Sequence, residues 1–350
     1  MNCPAPPTTA VAIADDHALP QTPFDFNSIA ETTAIIPPFP YLDYPPTLPA
    51  ALRRFSGFPM DEVDVILGSQ RHRLEGRIAM RTFRHRDAAM SDAAVRRHYQ
   101  AALQTVGAIK VNVDKPDAHY SADPCKATLR APYYDMSYDV YLMRQGAARH
   151  WIVLMTSDTD TRLLSIEELP FVQTIGYEGA SGKTICVKAT GSAAVATHPL
   201  DFDAVPLHTM PLPQFPYLPF PDKVPAAHRK AAHADFDTAS VIVGDRLHAV
   251  EGKVVTRTFD NRFAEMSPMA IRRNYEAAVK GLGAVQVNTI TPENRALIDA
   301  SGREYAMRIQ LRMDGFGTSY ASYLVRTPDR NIWLALMFSD DRTHILVIEE

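Results

Sequence analysis

Two histidine–glutamate pairs are the first residues whose types and spacing could do chemistry. His72 stands three residues before Glu75-Gly76, and His248 stands three residues before Glu251-Gly252. An imidazole held by a carboxylate can act as a general base. The same stretches carry a second pattern, Glu75-x-Arg77-x-x-x-Arg81 beside Phe83 and Glu251-x-Lys253-x-x-x-Arg257 beside Phe259. Alternating charges next to an aromatic ring suit a face that binds a protein or a glycan.

The simpler reading of each histidine is a solvated side chain near a turn. The Glu-Gly step reads as a bulge or a close backbone approach, where glycine relieves crowding. The rest of the shared polar set is Arg96-Arg97 with Arg272-Arg273, Tyr99 with Tyr275, Asn112 with Asn288, and Ser157-Asp158 with Ser339-Asp340. The arginine pairs fit a solvated helix face and the Ser-Asp steps fit turn chemistry. No HExxH, GxSxG, phosphate-loop, GxGxxG or paired CxxC pattern occurs. No catalytic residue, metal or cofactor is expected.

These residues come in pairs because the chain repeats itself. "LEGRIAMRTF" and "VEGKVVTRTF" share an offset of 176, which holds without a gap from Asp25 and Asp201 to Asn112 and Asn288. Beyond a loop the offset becomes 182, and it pairs Trp151 with Trp333 and Glu168 with Glu350. A period this long indicates tandem domains, because solenoid repeats run to roughly 20–50 residues.

Each module must position those residues with a small set of elements. Two strands come first, "DEVDVILG" with "RLEGRIAMRTF" and "FDTASVIVG" with "AVEGKVVTRTF". In the second strand Leu74, Ile78, Met80, Val250 and Val254 alternate with charged residues, which predicts one buried and one more solvated sheet face. A helix follows, with Ser91 and Ser267 as N-caps, Pro268 at its first position, and Gly107 and Gly283 as stops. Its apolar stripe is expected to dock on the apolar side of the sheet. The remaining runs predict antiparallel hairpins, giving ββαβββ with an extra strand possible, in the α+β class. The fold expected is two tandem homologous modules, each a mainly antiparallel sheet with one amphipathic helix on one face. The Pro-rich stretches "AIIPPFPYLDYPPTLP" and "MPLPQFPYLPFPDKVP" read as extended arms anchored by Phe39, Tyr41, Phe215 and Tyr217, or as stiff spacers.

The organisation that results is an extended lead-in (1–36), a first module (37–168), a linker with one strand-like run "KTICVKA" (169–209) and a second module (210–350). With 350 residues, a formal charge of −4 and 22% charged residues, the composition is that of a globular chain. No apolar run is long enough to span a membrane as a helix. Six arginines between Arg71 and Arg86 form a basic strip, but the second copy thins it and the chain is acidic. Arg–Glu cross-strand pairs explain it better than nucleic acid, which is not expected as a partner. Cys3, Cys125 and Cys186 are odd in number and none recurs in the other copy, so no disulfide or metal framework shared by the copies is encoded, and a private Cys125–Cys186 bridge stays open.

The strings "LEGRIAMRTF…MSDAAVRRHYQAALQTVGA" and "VEGKVVTRTF…MSPMAIRRNYEAAVKGLGA", with the closing hairpin ending in Ile-Glu-Glu, resemble a known module. It is the module found ahead of the peptidoglycan-binding domain in some OmpA-like proteins of Gram-negative envelopes. The resemblance covers both modules and implies an envelope setting with a non-catalytic accessory role. The chain stops at Glu350, where the peptidoglycan-binding domain would begin, so peptidoglycan binding is not carried over. The expected location is the periplasm or outer membrane if a leader is removed, and the cytoplasm otherwise.

The leading expectation is therefore a non-enzymatic envelope protein that binds a protein or glycan partner through Glu75, Arg77, Arg81, Phe83, Glu251, Lys253, Arg257 and Phe259. The alternative is a small-molecule enzyme or carrier, with a site between the modules or under an arm that uses His72, His248 or Cys125.

Overall fold

The computed structural model describes residues 24–67, 70–112, 136–178, 204–301, 304–313 and 319–350. Cys3, Cys125, Cys186 and the run "KTICVKA" lie outside the described residues. In the first module β1 (Arg54–Leu67), β2 (Gln70–Arg84), α1 (Asp92–Thr105), β3 (Ile109–Lys110), β4 (Ser137–Gln145), β5 (Ala148–Thr156) and β6 (Asp160–Glu168) build one antiparallel sheet in the order β1-β2-β6-β5-β4-β3. The second module repeats this with β7 (Arg229–Val243), β8 (Arg246–Asp260), α2 (Pro268–Gly281), β9 (Val285–Gln286), β10 (Ser319–Arg326), β11 (Asn331–Phe338) and β12 (Arg342–Glu349). It adds two short helices, α3 (Arg295–Ser301) and α4 (Glu304–Gln310), before β10. Two homologous α+β modules and the extra strand after the helix are thus present.

The helix limits follow from their caps. Ser91 and Ser267 each accept a hydrogen bond from the amide three residues on, at 3.3 and 3.1 Å. Gly107 and Gly283, just past the helices, have φ of +67° and +74°, a region that side-chain-bearing residues avoid.

Two expectations about the sheet need correction. Both of its faces are covered, and the helix lies on the odd-numbered face of β2, not the even one. On the odd face Phe83 packs with Tyr44, Val95, Tyr99 and Leu103; on the even face Leu74 and Ile78 pack with Val63, Val65, Trp151 and Val153. The second module divides in the same way between Phe259 and Val254. The reason is in the central strands: "WIVLM" and "IWLALMF" are apolar without alternation, which fits strands buried on both sides. The even face is closed in the first module by Phe24, Phe26 and Ile29, and in the second by Leu297 of α3 and Met307 of α4.

The short strands β3 and β9 are prolonged by a side chain. Asn112 Oδ1 accepts from the Val140 amide at 2.8 Å, and Asn288 Oδ1 accepts from the Ser322 amide at 2.9 Å. At the β5–β6 and β11–β12 turns the serine hydroxyl accepts from the chain: Ser157 from Asp160 N and Ser339 from Arg342 N, each at 3.0 Å.

The Glu-Gly step marks a bulge, as its composition suggests. The β1–β2 register shifts between Phe58 and Asp61, and the β7–β8 register shifts at the equivalent Ala234 and Asp237. Gly76 and Gly252 pair with the two aspartates and press against the carbonyls of Glu167 and Glu349. A methyl group there would collide with backbone, which cannot rotate away. Gly76→Ala and Gly252→Ala should each cost about 1–3 kcal/mol, read as a lower urea midpoint at unchanged slope.

Candidate functional site

The histidine–glutamate pairs are not assembled. Residues three apart on a strand project from opposite faces, and His72 lies on the even face while Glu75 lies on the odd one. The His72 ring packs edge-on to Phe24 and Phe26 at centroid distances of 6.1 and 6.3 Å, and among the described residues its buried Nε2 has no hydrogen-bond partner. Burial lowers its pKa, so it is held neutral. His248 leans on Trp333 at 5.1 Å. The two histidines sit in different modules, and Cys125 lies outside the described residues.

The charged-and-aromatic pattern has a different use, and it begins with the Pro-rich stretches. They are not extended: each contains a cis proline, Pro40 or Pro216, followed by a tyrosine with φ +70°, Tyr41 or Tyr217. The backbone turns tightly there, with Leu42 N donating to Pro40 O at 2.9 Å and Leu218 N to Pro216 O at 2.8 Å. The turned arm lies over the odd face of β2 or β8 and buries Tyr41, Leu42, Tyr44 and Leu48, or Tyr217, Leu218 and Val224. Prolines keep such a segment out of any strand, because they remove donors that a strand would need.

Arg81 and Arg257 hold these arms. Each guanidinium donates through Nη1 to an arm carbonyl, that of Leu42 or Leu218. Each also lies over an arm ring, Tyr44 at 5.4 Å and Phe220 at 5.1 Å. Their side chains keep only 15% and 13% of their exposure, so most of each charge is out of water. Such burial is costly unless the charge is answered. The carbonyls answer it in part, together with Asp43 at 3.9 Å in the first module and Glu178 at 2.8 Å in the second, and among the described residues the buried Nε of each arginine has no hydrogen-bond partner.

The helix grips the same arm from the other side. Tyr99 OH donates to Asp43 O at 3.1 Å and Tyr275 OH to Pro219 O at 2.7 Å. Burial raises both phenols well above their ordinary value, so they stay neutral donors. Phe83 and Phe259 stack between arm and helix, 2% and 1% exposed.

Of the eight residues expected to form a binding face, then, Arg81, Phe83, Arg257 and Phe259 are covered by their own arm. At the rim of that cover Arg77 stands 4.4 Å from the centroid of the Phe39 ring and Lys253 stands 4.5 Å from that of Phe215. Glu251 is exposed. Glu75 reaches across to the other module, where both of its oxygens accept from Arg273 of α2. Arg273 therefore does not sit on a solvated helix face, as its position in α2 would suggest. Arg272 does, paired with Glu276 at 2.7 Å. The basic strip is answered by acids: Arg73 pairs with Asp64 at 3.0 Å and Arg84 with Asp87 at 2.8 Å.

The module contact has two further parts that the sequence did not suggest. Ser267 at the α2 N-cap donates to Met60 O of β1 at 2.7 Å. The stretch after β6 runs along α2, where Asn274 Oδ1 accepts from Ile175 N at 2.9 Å and Tyr177 OH donates to Ala278 O at 3.1 Å. An Asn at this position, His98 in the first copy, was the one visible signal.

One open cleft of about 590 Å³ lies within the second module, between β7–β8 and α4, lined among others by His233, Asp237, Tyr305 and Arg312. It is not a site between the modules. Among the described residues no cluster of three or more metal-ligating side chains occurs, and no helix is long and apolar enough to cross a membrane. No protein-family model, curated protein or solved structure matches this chain.

Two outcomes follow from the clamp and the module contact. Arg81→Ala and Arg257→Ala each remove a charged hydrogen bond that orders an arm and leave a buried carbonyl unanswered, a loss of about 2–3 kcal/mol. Each should lower the melting temperature of its module by roughly 5–10 °C, whereas Arg77→Ala should leave it within about 2 °C. Differential scanning calorimetry distinguishes the two. The hydrogen bonds from Arg273 lower the pKa of Glu75 below its ordinary 4.5. The ion pair therefore stabilises the contact above that value and is lost as pH falls through the lowered one. Energy transfer between dyes on the two modules should drop on acidification through the lowered pKa of Glu75, below the ordinary carboxylate range, and Arg273→Gln should flatten that drop.

Proposed function

We propose that this protein is a non-enzymatic scaffold of the bacterial envelope, whose two modules bind a protein or glycan partner at the rims of their arms. The observation that carries the reading is the cation held over a half-exposed ring in both copies: Arg77 over Phe39 and Lys253 over Phe215. The cation differs between the copies and the geometry does not. A positive group over an aromatic face presents a flat apolar surface with a charged edge, which suits sugar rings or aromatic and acidic side chains. Each rim also has an acid within reach, Glu167 at 3.9 Å from Arg77 in the first module and Glu251 two residues from Lys253 in the second.

The non-enzymatic part is supported by where the shared polar groups go. Arg81, Arg257, Tyr99 and Tyr275 hold arms, Asn112 and Asn288 extend strands, and Ser157 and Ser339 close turns. The envelope setting rests on the resemblance of the "VEGKVVTRTF" and "RRNYEAA" strings to the OmpA-associated module. The cleft beside α4 favours a second reading, a small-molecule carrier, because Tyr305 exposes 74% of its surface next to the charged pair Asp237 and Arg312.

The test is affinity capture from solubilised bacterial envelopes, alongside co-sedimentation with purified sacculi. Wild-type protein should retain a defined partner or co-sediment. The double variant Arg77→Glu/Lys253→Glu should lose at least about tenfold in retention at an unchanged melting temperature. Equal retention by both proteins, or by neither, removes this reading. A ligand found in the cleft and lost on Tyr305→Ala would replace it.

A further inference from the structure

We infer that the contact between the two modules is half of a repeating one, and that a second copy of this chain docks its α1 helix on the β7–β8 edge in the way α2 docks on β1–β2. The inference rests on the duplication and does not depend on the envelope reading.

The internal contact has a defined donor side and acceptor side. The donor side is the start of a helix: Ser267 at its N-cap and Arg273 one and a half turns on. The acceptor side is the bulged edge of a sheet: Met60 O at the bulge, and Glu75 on the neighbouring strand with Glu62 close by. At the constant offset of 176, the donor side recurs in the first module as Ser91 and Arg97, and the acceptor side recurs in the second as Phe236 and Glu251.

Within one chain each of these second halves faces away from the other. Ser91 and Arg97 are exposed, whereas Ser267 is fully buried. Glu251 is exposed, and Phe236 leaves 73% of its surface in water where Met60 is partly covered by α2. The charge pair that closes the internal contact is thus present twice as residues and closed once. The bulge that offers its carbonyl is also built twice, between Phe58 and Asp61 and between Ala234 and Asp237.

At the second edge Arg312 donates to Thr238 O and pairs with Asp237, while Phe236 and Glu251 stay exposed. Helix α4 lines the cleft with Val254 and Thr256, which lie on the even face of β8, and Glu251 lies on the odd face. The strand β7 is 15 residues long and, among the described residues, has no strand partner on its outer side, an edge that natural proteins tend to cover. A large exposed phenylalanine at the centre of that edge, Phe236, offers the contact an apolar anchor.

The copies are not identical, and the differences set the strength. Glu62 corresponds to Thr238, which removes one acid, and Asn274 corresponds to His98, which removes the acceptor for a covering segment. The contact between chains should therefore be weaker than the one within a chain, reversible and sensitive to salt. Because a helix face meets a sheet edge, the contact is head-to-tail. Repeating it gives open chains of molecules or a closed ring, and not a symmetric pair sharing one patch.

Sedimentation velocity on the full chain between about 1 and 200 µM at low salt tests this. The expected result is a weight-average mass that rises with concentration and falls back toward one chain at about 0.5 M salt. Arg97→Glu and Glu251→Arg should each weaken self-association by about tenfold or more, since each puts like charges together. An equimolar mixture of the two variants should recover it, because Arg97 of one then meets Glu251 of the other. A chain that stays monomeric at low salt, or that associates equally in both variants, overturns the proposal, as does a mixture that stays dissociated when wild type associates. Both residues are exposed, and recovery in the mixture shows directly that the variants are folded.

Discussion

A guanidinium removed from water must be answered, and in this protein the answer is a turn of backbone that cannot belong to any strand. Arg81 and Arg257 point out of the sheet on the face where the helix packs, and the proline-rich arm brings a carbonyl and a ring to each. If the arm lifted, the arginine could recover water, but Tyr41, Leu42, Tyr44 and Leu48 would be exposed together and Tyr99 would lose its acceptor. The arm, the helix and the sheet therefore stabilise one another as a unit. Proline makes the arm possible because it denies the segment the amides that would let it join the sheet edge.

Much of this was legible in the sequence, and the parts that were not share a cause. The repeat, the helix with its serine cap and glycine stop, the hairpins and the bulge at Glu-Gly all follow from local rules, and each was read correctly from a handful of residues. The side of the sheet that the helix occupies was not. Alternation in β2 marks Leu74, Ile78 and Met80 as apolar, but the strands that fill the core, β5 and β6, are apolar on both faces. A pattern in one outer strand cannot say which face a helix takes when both are covered. The fate of the arginines was hidden for a related reason. Arg77 and Arg81 look alike in the strand, and only the path of an arm about 40 residues earlier in the chain decides that one is a lid support and the other a rim. Contacts of that span carry no periodicity.

The asymmetry between the two modules is as informative as their likeness. Positions alike in both copies, such as Tyr99 with Tyr275 and Asn112 with Asn288, hold the fold of each module from within. Some positions that differ lie where the modules meet or where one has gained an element. Asn274 accepts the amides of the segment leaving the first module, and among the described residues His98, its counterpart, is exposed. The helices α3 and α4 close in the second module the face that Phe24 and Phe26 close in the first. One fold has thus been given two different covers for the same apolar surface, which is allowed because burial rewards area and not identity.

This division also limits where chemistry could reside. A duplicated catalytic site would need its acid, base or nucleophile on the inward side of both modules and facing a space that a substrate can enter. The paired groups that point inward, the arginines and tyrosines at the arms, face backbone carbonyls at hydrogen-bond distance. Among the paired groups that face water are cations over rings, Arg77 on Phe39 and Lys253 on Phe215. What the duplication multiplied was a unit of sheet, helix and arm, and the two copies meet where Ser267 and Arg273 of α2 reach Met60 and Glu75.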